Sequence, residues 1–189
     1  MKLLNSVNKF LYGLILIVLL FFVIGIAYAF FSADLFNSET GTTITAGSGT
    51  MKIEYSGGPQ ITVSDLAPST TPFASKTFTI KANNTTTDML KYRLFINKTQ
   101  NTFSTGGITY TLSGTNTSGK GTLVPDVSAR KSLATGAGNE LIGTGSYTGA
   151  VTNAVHTYEL KLYFYLTEND QMIDLGKSFT AKIVTESYN

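Results

Sequence analysis

Apolar and polar residues alternate with a period of two along most of the chain after residue 40. In KYRLFI, for example, Tyr92, Leu94 and Ile96 fall on one face. Such alternation is typical of strands that bury one face. The same alternation recurs in residues 51–55, 78–82, 108–112, 158–166 and 179–183. One further strand is predicted at residues 61–66. The pattern therefore predicts about seven strands.

The segments between these strands are rich in Gly, Asn and Ser, which are turn formers. No amphipathic helix of three turns is visible, although residues 128–138 fit one short helical turn. Short strands separated by such turns predict two antiparallel sheets packed face to face. We expect an all-β fold, a jelly-roll-like sandwich over residues 47–189.

The N-terminal segment has a different pattern. Residues 10–31 (FLYGLILIVLLFFVIGIAYAFF) form a run of 22 residues without a charge. As a helix this run is about 33 Å long, enough to cross a bilayer core. Lys2 and Lys9 precede it, which predicts that everything after residue 34 lies outside the cell or on its surface. The chain is therefore predicted to be exported across the cytoplasmic membrane.

Three interpretations of residues 1–29 stay open. The run is long for a signal peptide and suits a retained anchor. However, Ala27 and Ala29 form an A-x-A site, and cleavage after it would leave Phe30 as the new terminus. A buried helix of a soluble domain is a third interpretation. A pilin-like spine is disfavoured, because the apolar helix has no acidic residue.

Composition and charge exclude several classes of function. The chain has no cysteine, so it has neither disulfides nor thiolate metal ligands. Two of its 14 Lys and Arg residues precede the apolar run, which leaves 12 basic and 12 acidic residues after it. A neutral exported part gives no electrostatic reason to expect nucleic-acid binding.

The sequence shows no catalytic constellation, cofactor motif or metal site. His156 is the only histidine and no G-x-S-x-G elbow accompanies it, so we expect a solvent-facing or edge histidine and no enzyme. Residues 167–174 gather Glu168, Asp170 and Asp174, but their spacing does not match a calcium loop. An ordinary solvated hairpin loop is the preferred interpretation there. A hydrolase that uses His156 is the least favoured hypothesis.

Several stretches resemble the TasA/camelysin group of bacterial surface and biofilm-matrix proteins. These are the leader ending in AYAFFS, the strand in ITAGSGTMKIEY, the pair LAP and FTIKAN, and ELKLYFYLTENDQMIDLGKSFTAKI. Ser69 stands where the group has a glycine after the proline. The glycine expected soon after the asparagine is also missing. The resemblance implies a jelly-roll domain, secretion and assembly into fibres outside the cell.

The resemblance also implies a role for residues 30–46, which we call the arm. In such fibres the N-terminal stretch of one subunit adds as a strand to the next, by β-augmentation. The alternative is an arm that packs on its own domain. The apolar residues of the arm that would serve as anchors are Phe30, Phe31, Leu35, Phe36 and Ile44.

Two functions follow from these features. The first is an exported structural protein that self-assembles into a homopolymer, with or without an accessory assembly protein. The second is a membrane-anchored or secreted binding module, adhesin-like, with ligand contacts in its loops. In both, residues 10–31 contact the membrane before or without cleavage. Retention of these residues would favour the module, and polymers formed after cleavage would favour the fibre.

Overall fold

The computed structural model describes residues 51–104, 106–166 and 171–188. Within these ranges the chain forms nine strands and a 3-10 turn at Met172–Asp174, with no helix that is long and apolar enough to span a membrane. Residues 10–31 lie outside the described ranges. The strands are β1 Met51–Ser56, β2 Ile61–Ser64, β3 Ala74–Asn84, β4 Leu90–Asn101, β5 Ile108–Asn116, β6 Val127–Ser132, β7 Gly138–Tyr147, β8 Val151–Phe164 and β9 Ser178–Tyr188.

The strands form two antiparallel sheets packed against each other. Sheet A has five strands in the order β1-β3-β8-β5-β6, and sheet B has four in the order β2-β9-β4-β7. Inward residues of both sheets fill the space between them, as the alternation predicts. Phe78 and Ile80 of β3 and Leu94 and Ile96 of β4 are almost fully buried. The predicted two-sheet sandwich is therefore confirmed.

The register defines two ends of the sandwich. Met51 pairs with Asn84 and Asn84 with Val151, at what we call the N-proximal end. At the opposite end, which we call the distal end, Ile108 of β5 pairs with Phe164 of β8. Strand β8 has 14 residues, so the two ends are about 45 Å apart. The loops that follow β4, β6 and β8 all lie at the distal end.

Strands β6 and β7 were not predicted, and the helical turn expected at 128–138 is wrong. Strand β7 contains the stretch GTGSY, whose glycine-rich composition is typical of turns. Two of its glycines are instead required by packing. A Cβ atom at Gly143 would lie 2.6 Å from Val124 Cγ1, and one at Gly145 would lie 2.4 Å from Tyr92 Cζ. Glycine at these positions lets neighbouring side chains contact the backbone.

Two predicted strand ends also differ from the structure. The strand expected at 61–66 ends at Ser64. Strand β8 ends at Phe164, so Leu166 lies beyond the sheet and is exposed rather than in the core. The expected domain start at residue 47 lies outside the described residues and stays a prediction.

Candidate functional site

The site residues predicted from the sequence belong to the N-terminal segment. The cleavage residues Ala27, Ala29 and Phe30 lie outside the described residues, and so do the arm anchors Phe31, Leu35, Phe36 and Ile44. Their assignments stay predictions. A candidate site among the described residues must therefore come from the sandwich itself.

A shallow depression of about 270 Å³ lies on the outer face of sheet A, where β5, β6 and β8 meet. Its walls come from outward positions that alternate with buried residues such as Leu160 and Leu162. The polar residues that line it include Thr111, Ser113, Asp126, Glu159, Lys161 and Tyr163. Alternation along β5 and β8 thus places hydroxyl, carboxylate and ammonium groups on one surface.

An irregularity in β6 creates this depression. Tyr110 pairs with Lys131, but Leu112 pairs with Val127, so β6 takes four steps where β5 takes two. The three residues from 128 to 130 therefore stand opposite Thr111 alone. Such a bulge bends its strand and interrupts the ladder, which opens the sheet surface locally.

Hydrogen bonds fix the carboxylates at the edge of the depression. Glu159 Oε2 lies 3.0 Å from Lys161 Nζ, and Ser75 Oγ donates to Glu159 Oε1 at 2.9 Å. The bonds from Lys161 and Ser75 hold the pKa of Glu159 below its ordinary value, so this carboxylate is charged at neutral pH. Asp126 Oδ1 accepts a hydrogen bond from Gly114 N at 2.8 Å.

Aromatic rings and a guanidinium group lie beside the depression. Arg130 Cζ is 3.4 Å from the centre of the Tyr165 ring and 5.9 Å from that of Tyr163. Arginine stacks well on aromatic faces because its charge is delocalised and weakly hydrated. The positive charges of Arg130 and Lys161 balance the negative charges of Asp126 and Glu159. This surface therefore offers hydrogen bonds to a polar, uncharged ligand.

His156 lies in the core, which corrects the prediction of an edge or solvent-facing histidine. Its side chain is fully buried on the inward face of β8. Nδ1 is 2.7 Å from Tyr92 Oη, and Nε2 is 3.0 Å from Lys120 O. The ring also stacks on Tyr147, with centroids 4.0 Å apart. His156 is two residues before the inward Tyr158, so the alternation itself placed it inside.

The partners of His156 set the direction of a hydrogen-bond chain. Lys120 O can only accept, so Nε2 carries the proton and Nδ1 of the neutral ring accepts from Tyr92 Oη. Tyr92 Oη then accepts from Tyr158 Oη at 2.5 Å. Tyr158 Oη in turn accepts from Val124 N at 2.9 Å. Both ring nitrogens of His156 are therefore engaged inside the core, a structural role rather than that of a catalytic base.

Burial keeps this network neutral. It lowers the pKa of His156, partly opposed by the bond to Lys120 O. Burial also raises the pKa of Tyr92 well above the ordinary tyrosine value, and it raises the pKa of Tyr158. The imidazole and the two hydroxyls therefore stay uncharged near neutral pH.

Asp174 is buried, which corrects the prediction of a solvated loop at 167–174 for this residue. Its side chain is 3% exposed, and it accepts hydrogen bonds at 2.6 Å from both N and Oγ of Ser104. Glu168 and Asp170 lie outside the described residues. In the part of the chain that the structure describes, no group of three or more His, Asp or Glu side chains could hold a metal ion.

Comparisons with known proteins gave no match: no family model, no curated protein and no solved structure matches the chain. Membership of the TasA/camelysin group therefore stays a prediction. We base the function on the order of segments in the sequence and on the sandwich itself.

Proposed function

We propose that this chain is an exported structural protein of the cell surface or biofilm matrix that self-assembles into fibres. One observation carries the proposal: the arm, with its apolar anchors, ends only four residues before β1 in the sequence, and β1 is the outermost strand of sheet A. A segment with apolar anchors that lies between an export signal and an edge strand in the sequence is well placed to add as a strand to a second copy. The partner is then the same chain.

The order of the strands supports this proposal. Strands β2-β9-β4-β7 in one sheet and β3-β8-β5-β6 in the other have the order expected of an eight-stranded jelly roll. Strand β1 extends that arrangement at one edge. A jelly roll is also the fold that the resemblance to the TasA/camelysin group implies.

The edge strand β6 supports a specific mode of assembly. Its residues Arg130 and Lys131 are exposed, and charged side chains on an edge disfavour pairing with an arbitrary strand. The proposed fibre therefore grows through the apolar arm rather than through unselective contacts between edges.

The test uses the full-length gene expressed in an exporting bacterium. Filaments seen by electron microscopy should contain chains that begin at Phe30, as read by N-terminal sequencing and intact mass. The variant Ala29→Tyr, which removes a small residue that the signal peptidase needs, should stay in the membrane fraction. An exported wild-type chain that stays monomeric at high concentration would refute the proposal.

The depression on sheet A favours a second function, a surface-displayed binding module for polar ligands. Neutral oligosaccharides immobilised on an array are a suitable probe, because the lining offers hydroxyl, carboxylate and ammonium groups. Binding should weaken at least tenfold in Glu159→Gln. It should persist in Thr62→Ala, whose exposed side chain lies on β2 in sheet B, away from the lining. Equal binding by both variants would rule out this depression as the site.

A further inference from the structure

The connection between β8 and β9 exposes an unusual run of apolar side chains. Met172, Ile173 and Leu175 are 70%, 71% and 56% exposed, within four consecutive positions. Single exposed apolar residues are common on protein surfaces, but grouped ones mark interaction sites. We call Ile173, Leu175 and the adjacent Met172 the distal turn.

Burial in the distal turn is the reverse of what side-chain polarity favours. The charged residue, Asp174, points inward, and its three apolar neighbours point outward. Two hydrogen bonds from Ser104 compensate the buried carboxylate, and Leu175 N donates to Met172 O at 3.1 Å. These hydrogen bonds therefore hold the turn in a conformation that exposes its apolar side chains.

The distal turn lies far from the point where the arm joins the sandwich. The turn follows β8, which ends at the distal end, whereas β1 begins with Met51 at the N-proximal end. These ends are about 45 Å apart along β8. Met51, which the arm precedes in the sequence, and the apolar surface of the distal turn therefore lie at opposite ends of the sandwich.

We propose that the distal turn is the docking surface for the arm of a second copy of this chain. The inference rests on the proposed function, because it assumes that copies associate through residues 30–46. The contact joins different surfaces on the two copies. A heterologous contact of this kind repeats without closing and produces a filament.

The reach of the arm favours a second copy over the arm's own domain. Ile44 is seven positions from Met51, a span of about 25 Å even when fully extended. Phe36 is 15 residues from Met51 and would need nearly complete extension, about 50 Å, to reach the distal turn of the same chain. In an end-to-end arrangement the distal turn of one copy faces the end of the next copy that holds Met51, so residues 30–46 of that copy lie within reach of it without full extension.

The experiment compares exported full chains that carry substitutions on one of the two surfaces. Ile173→Ser/Leu175→Ser should raise the concentration needed for filament formation at least tenfold, measured by light scattering and electron microscopy. Leu35→Ser/Phe36→Ser in the arm should do the same. The matched controls are Leu141→Ser on β7 and Thr42→Ser/Thr43→Ser in the arm, which should polymerise like the wild type.

A mixing experiment tests the head-to-tail geometry. The turn variant can still donate its arm, and the arm variant can still accept one. Mixed together, they should form one-to-one dimers but no longer chains, as measured by light scattering after size-exclusion chromatography. Circular dichroism of each variant shows that it is folded.

Three results would overturn the inference. If the turn variant formed filaments as readily as the wild type, the distal turn would have no role in assembly. The proposed function would still stand. If the turn variant formed normal filaments but no longer bound anionic phospholipid vesicles that the wild type binds, the turn would be a membrane contact. A monomeric wild type would refute the proposed function and this inference together.

Discussion

The two ends of the sandwich bury polar groups of different kinds. Towards the N-proximal end, His156 and Tyr92 form a neutral chain of hydrogen bonds between strands with Tyr158, which lies at the middle of β8. At the distal end the buried groups include charged ones. Lys98 Nζ lies 2.8 Å from Glu140 Oε2, and Asp174 accepts from Ser104. Each of these networks satisfies its own buried polar groups, but by different chemistry.

The difference follows from what each network holds in place. The neutral network links side chains of regular strands in the two sheets, with Val124 N from the β5–β6 loop at its end. The charged groups hold irregular backbone: Lys98 Nζ donates to Ala134 O at 2.6 Å, and Glu140 Oε2 accepts from Ala134 N at 3.0 Å. Charged groups make stronger hydrogen bonds, and they fix loops that have no ladder of their own. We therefore expect the two ends to respond differently to substitution and to pH.

The largest expected effect is at the distal end. Glu140→Ala leaves the buried Lys98 ammonium without its carboxylate, and breaking such a pair is strongly destabilising. The free energy of unfolding should fall by about 3 kcal/mol in urea titrations. The double variant Lys98→Met/Glu140→Ala should recover part of this loss, because no charge is then left buried. A loss as large in the double variant would contradict this account.

A smaller effect is expected at the N-proximal end. Tyr92→Phe removes the hydroxyl that donates to His156 and accepts from Tyr158, and it leaves both buried groups short of a partner. The expected loss of unfolding free energy is about 2 kcal/mol. Tyr163→Phe, on the outer face, should cost less than about 0.5 kcal/mol. Similar losses in the two variants would mean that the buried network adds no stability.

The smallest effect is a dependence on pH. Burial lowers the pKa of His156, whereas the unfolded chain has an ordinary value of about 6.5. Below that value the unfolded state binds a proton that the folded state does not, so stability falls as the pH decreases. The slope should approach, at most, about 1.4 kcal/mol per pH unit.

The pH effect is assigned to His156 by substitution and by spectroscopy. The groups around the ring are Tyr92, Tyr147, Tyr158 and the carbonyl of Lys120, and none of the three hydroxyls titrates between pH 5 and 7. His156→Gln should therefore flatten the slope in that range. NMR can follow the imidazole directly, because the chain has one histidine. Equal slopes in both proteins would assign the dependence to other groups.

The strands that could be predicted from the sequence are those in which large apolar side chains alternate with polar ones. In β3, β4, β5, β8 and β9 the core positions hold large apolar residues, so the period of two is visible. Strand β7 could not be predicted in this way. Packing requires glycine at positions 143 and 145, and glycine in a sequence suggests a turn. Nor could β6, an edge strand that is mostly exposed and lacks a regular apolar face.

The candidate sites were less predictable, because they depend on contacts between distant residues. The depression needs the bulge in β6, and nothing local to Ser128 indicates it. Asp174 is buried because Ser104, 70 residues earlier, donates two hydrogen bonds to it. The burial of His156 could have been predicted, since it continues the inward alternation of Tyr158 and Leu160.

The tyrosines buried in the core give this protein a built-in optical probe. The chain has ten tyrosines and no tryptophan, so its ultraviolet absorbance and fluorescence come mainly from phenol rings. Burial raises the pKa of Tyr110 to about 12, and it also raises those of Tyr92 and Tyr147. Exposed rings should form phenolates near pH 10, whereas the buried rings do so only when the sandwich opens. Alkaline titration of absorbance would therefore separate surface from core, and report unfolding without any label.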